Sequence, residues 1–103
     1  MRRARVAMLG TPAGMLEERE SGRWVFRYDP DYEGPPVSLT MPVDRAKHEF
    51  EAFPPFFEGL LPEGEMLEGL LRQRKIDRND LFAQLVAVGA DTVGAVTVTE
   101  GEA

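Results

Sequence analysis

The chain has 103 residues, 43% hydrophobic and 29% charged, and its 18 acidic and 12 basic residues give a net charge of −6. That length suits one domain with one core and is too short for two ordinary ones, and the composition excludes wholesale disorder. With no cysteine, disulfides, thiolate metal sites and cysteine nucleophiles are excluded, and the acidic balance disfavours direct binding to nucleic acid.

Met1-Arg2-Arg3-Ala4-Arg5 has the charge of a signal-peptide start, but Val6-Ala7-Met8-Leu9 stops at Gly10-Thr11-Pro12, too short for an export signal. No segment approaches the roughly 18 apolar residues a membrane-spanning helix needs, so the expected location is the cytoplasm, away from the membrane. Arg3 to Leu9 reads as a first strand, Gly10-Thr11-Pro12-Ala13-Gly14 as a turn, and Met15 to Arg19 as a second strand ended by Ser21-Gly22. From Arg23 to Asp29 the alternation is clearest: Trp24, Phe26 and Tyr28 share one face, which is apolar enough to be the buried one.

Asp29 to Pro36 carries three prolines and a glycine and cannot continue a ladder. Val37, Leu39 and Met41 alternate with Ser38 and Thr40, which predicts a fourth strand closed by Pro42. The period then changes. Met66, Leu67, Leu70 and Leu71 predict a helix with Pro62 in its first turn, and Leu81, Phe82, Leu85 and Val86 predict another, with Asn79 as N-cap and Gly89 as its stop. Val93 to Thr99 reads as a last strand. The expected fold is α+β: a small antiparallel β-sheet, a meander plus a C-terminal strand, covered by two or three helices.

Nothing in this sequence assembles into catalytic machinery. His48, the one histidine, lies among charged residues and reads as solvated rather than as a ligand. Ser21 and Ser38 have no evident base. The glycines at 10 and 14 lack the Lys-Ser or Lys-Thr of a phosphate loop, and acid pairs such as Glu17-Glu18 or Glu63 and Glu65 read as solubilising. No metal or cofactor is expected. Phe53-Pro54-Pro55-Phe56-Phe57-Glu58-Gly59-Leu60-Leu61-Pro62-Glu63-Gly64 is different, because it is an apolar connection stiffened by proline. Phe56, Phe57, Leu60 and Leu61 are expected to fold under the sheet. Pro62, Glu63, Gly64, Glu65 and Met66 are expected to form a corner presented to a partner.

Four stretches in order carry a family resemblance: Trp24-Val25-Phe26-Arg27-Tyr28-Asp29-Pro30, Pro36-Val37-Ser38-Leu39-Thr40-Met41-Pro42, Phe56-Phe57-Glu58-Gly59-Leu60-Leu61-Pro62-Glu63, and Gly89-Ala90-Asp91-Thr92-Val93-Gly94-Ala95-Val96. Together they resemble the N-terminal subdomain of the HipA family, the serine/threonine kinase toxins of bacterial toxin–antitoxin systems. A full-length kinase of that family continues with nucleotide-binding and catalytic motifs that this sequence does not contain. In the family's split, HipBST-type arrangement the subdomain is a separate small protein, HipS, beside a shortened kinase, HipT, and a HipB-like helix-turn-helix DNA-binding protein. The resemblance thus implies a non-catalytic antitoxin that binds and inhibits a cognate kinase of the HipA/HipT kind in a complex with that repressor. The alternative it leaves open is a structural N-terminal piece of a full-length HipA-like kinase. A small enzyme has only scattered carboxylates and His48 in its favour.

Overall fold

Leu9 and Gly10 both take positive φ, 52° and 83°, the paired left-handed geometry whose twist matches that of two antiparallel strands. They close a hairpin between β1 (Arg3–Met8) and β2 (Thr11–Glu18), so the first turn is shorter than the glycine and proline pattern suggests. Thr11 to Gly14 belong to the strand. Pro12, which cannot donate to a ladder, is accommodated by a register shift between Val6 and Ala7. Gly14 is glycine because a Cβ there would lie 2.3 Å from the Arg27 carbonyl oxygen. Ser21 and Gly22, with φ of 61° and 76°, turn the chain again into β3 (Trp24–Tyr28).

The computed structural model describes residues 1–91 and 95–101. After β3 come β4 (Lys47–Phe50), the helices α1 (Pro55–Glu58), α2 (Gly64–Arg74) and α3 (Leu81–Val88), and β5 (Val96–Glu100). The five strands form one antiparallel sheet in the order β4-β3-β2-β1-β5, an α+β fold with a meander and a C-terminal strand beside β1. Val93 of the expected last strand lies outside the described residues.

The register decides the core. Ala4, Leu16, Phe26 and His48 form one cross-strand row, and Val98, Val6, Gly14 and Tyr28 form the next. Helices cover this face: Phe57 of α1 meets Phe26 at 5.7 Å between ring centroids, and Phe82 of α3 stacks on Trp24 at 5.6 Å. Trp24, Phe26 and Tyr28 are all buried, as the alternation requires, and each such side chain contributes about 1.5–3 kcal/mol by leaving water. α2 is attached more loosely and buries no residue fully.

Three further expectations are corrected. Val37 to Met41 is not a strand but a tight turn with one bridge, Ser38 to Met41. Its flanking prolines cannot donate, and the Tyr28 hydroxyl takes the Val37 N–H at 3.0 Å while donating to the Met41 carbonyl. Leu39 accordingly points out, 93% exposed. The fourth strand is instead the charged segment Lys47–Phe50.

His48 is therefore buried, 7% exposed, because the register sets it opposite Phe26. Its Nε2 lies 3.0 Å from the Pro42 carbonyl oxygen. Asp80, not Asn79, caps α3, its Oδ1 accepting the Ala83 N–H at 3.1 Å. Gly89 follows Val88 as the C-cap of α3, the stop the sequence predicts, in right-handed geometry with φ of −62°. It is glycine because a Cβ would meet the Val98 carbonyl oxygen at 2.0 Å.

Candidate functional site

The connection from Phe53 to Met66 builds the candidate site from the inside outward. Pro54 is fully buried, and its carbonyl accepts the N–H groups of Phe57 and Glu58, each at 3.1 Å, which winds the single turn of α1. Phe57 is thereby driven into the core, with Phe56, Leu60 and Leu61 packed partly buried against it. The sequence placed these four residues correctly. The turn closes as Leu60 and Leu61 donate to the carbonyls of Phe57 and Glu58, both at 3.1 Å.

From that anchored base the chain turns outward. Pro62 is half-buried, while Glu63, Gly64, Glu65 and Met66 are exposed, Met66 at 77%. The helix begins at Gly64 rather than at Pro62, with Glu63 as its N-cap. Pro62 stands just outside it and fixes the approach of the chain. Gly64 has φ of 59° with open space around its missing side chain, a conformation glycine adopts without strain. The Glu63 carboxylate makes no capping hydrogen bond, and neither Glu63 nor Glu65 forms an ion pair among the described residues. The corner offers two carboxylates and a thioether to solvent.

Among the described residues no group of three or more potential metal ligands comes together. Glu17 lies between Arg3 and Arg19, at 3.3 and 2.8 Å, and Glu18 accepts from the Arg2 side chain; both carboxylates are engaged in ion pairs. Ser38 Oγ is 2.8 Å from Thr40 Oγ1, with no base beside it. No helix among the described residues is long and apolar enough to cross a membrane.

One constellation escaped sequence reasoning. Arg2 grips Glu18 through Nε and Nη2, both at 3.0 Å, and Asp80 through Nη1 at 2.9 Å, with its guanidinium 4.9 Å from the Phe82 ring centre. The hydrogen bond from Arg2 holds the Glu18 carboxyl below its usual range, against the opposing effect of burial. Asp80 thus caps α3 and ties it to the start of the chain. No local signal announces this, since Arg2 and Asp80 are 78 positions apart.

The model of the HipA N-terminal domain matches residues 4–99. The chain belongs to the HipA N-terminal domain family. The N-terminal domain of HipA toxin is a solved structure that superposes with a TM-score of 0.78 at 30% identity, over 99% of this chain and 94% of that one. An uncharacterized protein of Haemophilus influenzae (strain Rd) is 33% identical over 100 residues, covering 97% of this chain and 93% of the relative. A protein of Sinorhizobium fredii (strain NGR234) named putative kinase Y4dM is 31% identical over 107 aligned positions, 94% of this chain but only 26% of its own length. The HipA match is to the N-terminal domain and not to the kinase catalytic domain, and it links the chain to toxin–antitoxin systems.

Proposed function

We propose that this protein is a non-catalytic, HipS-like antitoxin that binds and inhibits a cognate HipA-family serine/threonine kinase in the cytoplasm, within a complex that includes a HipB-like DNA-binding repressor. The observation that carries the proposal is the match to the HipA toxin's N-terminal domain over nearly the whole chain, with no part of the match reaching kinase machinery. The Haemophilus relative supports it, because the same domain there makes up 93% of a protein. The inhibitory contact is assigned to Pro62, Glu63, Gly64, Glu65 and Met66. Anchored by Pro54 and Phe57 yet exposed, this corner loses little entropy on insertion into a partner, and its acidic groups suit the positive potential of a phosphate-binding cleft.

Glu63 and Glu65 also complement the positive end of α2, an effect of about 0.3–1 kcal/mol each that needs no partner. Changing Glu63, Glu65 and Met66 together to alanine separates the two roles. The expected result is loss of inhibition of the cognate HipA-family kinase, read as restored autophosphorylation, with a nearly unchanged melting temperature. Full inhibition by the folded triple variant moves the contact elsewhere, and absence of any binding to the kinase rejects the antitoxin reading.

The Sinorhizobium match favours a second reading, in which the domain is a structural piece of a longer kinase. A reading frame continuing into kinase motifs supports it; a stop codon followed by a separate kinase gene supports the antitoxin.

A further inference from the structure

The end of the sheet and the connection between α2 and α3 enclose a groove of about 650 Å³, away from the corner. Its wall is aromatic: Phe53 meets Trp24 edge-on at 4.9 Å, and Phe82 stacks on Trp24 at 5.6 Å. Its rim is acidic, since Glu18, Glu51, Asp77 and Asp80 all line it, and one cation, Arg2, stands among them. The connection forming one side is held rigid by Gln84, buried in α3, whose Nε2 donates to the carbonyls of Asp77 at 3.2 Å and Arg78 at 2.9 Å.

Arg2 displays the chemistry this groove accommodates: a planar guanidinium, paired through both edges with carboxylates and lying over an aromatic ring. It engages Glu18 and Asp80. Glu51 and Asp77 are exposed and have no ion-pair partner among the described residues. The groove therefore keeps unneutralised negative charge beside an aromatic wall whose accessible ring is Phe53, since Trp24 and Phe82 are only 7% and 3% exposed.

We propose that this groove is a second docking surface, which takes an extended, arginine-bearing segment of a protein partner, one guanidinium reaching Glu51 and Asp77 across the aromatic wall. Charge complementarity selects the partner, because the anionic rim excludes acidic peptides and nucleic acid. Arginine is preferred to lysine because only a planar cation both stacks on a ring and bridges two carboxylates. Pairing at the groove is independent of the kinase reading, as its test needs only the isolated chain.

Trp24, the only tryptophan, is a built-in reporter. Titration with acetyl-(Gly-Arg)3-amide, followed by Trp24 fluorescence and by the NMR shift of its indole N–H, is expected to give a saturable, salt-sensitive response. The corresponding (Gly-Glu)3 peptide is expected to give none. In the double variant Asp77→Asn, Glu51→Gln, which keeps side-chain shape and the Asp77 turn acceptor, the affinity is expected to fall about tenfold or more at an unchanged melting temperature. No response from Trp24, equal affinity in the double variant, or shifts confined to the corner around Met66 would overturn the proposal. Spermidine binding as tightly as the peptide would equally reject it, by reducing the groove to a site for small free cations.

Discussion

Tyr28→Phe removes one oxygen from the core and leaves its volume intact, so it isolates what the hydroxyl contributes. That hydroxyl accepts the Val37 N–H at 3.0 Å and donates to the Met41 carbonyl. Val37 and Met41 are buried, 5% and 1% exposed, so water does not readily replace either bond. Leaving a buried backbone group unsatisfied costs about 1–3 kcal/mol, and two such groups set the expected loss at about 2–6 kcal/mol, part of it relieved if the turn rearranges.

Burial also raises the Tyr28 pKa, partly offset by the Val37 hydrogen bond. Because the folded pKa exceeds the unfolded value near 10, this contribution is fully present below about pH 10 and is lost as pH rises through the folded value. The variant should lose that part of the alkaline destabilisation. Urea unfolding across neutral to alkaline pH measures both effects. Tyr32→Phe is the control, since the Tyr32 hydroxyl donates to the Pro35 carbonyl at the surface; it should cost no more than about 0.5 kcal/mol. A Tyr28→Phe midpoint equal to that of the parent would refute the idea that this hydroxyl holds the turn.

Phe26→Ala should cost about 3–5 kcal/mol, because its ring is fully buried between Tyr28 and Phe57; thermal melting retained at the parental temperature would contradict the observed register. Gly89→Ala should destabilise by about 1–3 kcal/mol through overpacking, since its methyl would overlap the Val98 carbonyl, and denaturant unfolding reads this directly. Glu18→Gln should weaken the acid limb of the stability profile: the lowered Glu18 pKa gives a contribution present above the unfolded value near pH 4.3 and lost as pH falls through the folded value. Calorimetry with magnesium and ATP should show no saturable binding by the isolated chain, as the sequence has no phosphate loop.

Much of the fold was legible locally. Trp24, Phe26 and Tyr28 announce β3 because the two-residue period of a strand puts them on one face, and the leucines of α2 and α3 recur at helical spacing for the same kind of reason. The corner at Pro62–Met66 was visible too, since its residues are contiguous and a proline and a glycine shape it. Lys47-His48-Glu49-Phe50 carries no such mark. It is an edge strand whose charged residues face solvent, and its identity rests on backbone pairing with β3. The apolar alternation of Val37 to Met41 was misleading because one hydroxyl, from Tyr28, satisfied the backbone groups that a neighbouring strand would otherwise have taken.

His48 shows the same division, for its chemistry is written in the sequence but its burial follows from standing opposite Phe26. The groove lies wholly on the tertiary side. Arg2, Glu18, Trp24 and Asp80 are scattered along the chain, and they meet only because strand pairing brings the start of β1 beside the end of β2 while the first turn of α3 sets Phe82 on Trp24 and Asp80 against Arg2. Local periodicity determines which face of an element is apolar; which element that face meets is decided by contacts between residues far apart in the chain.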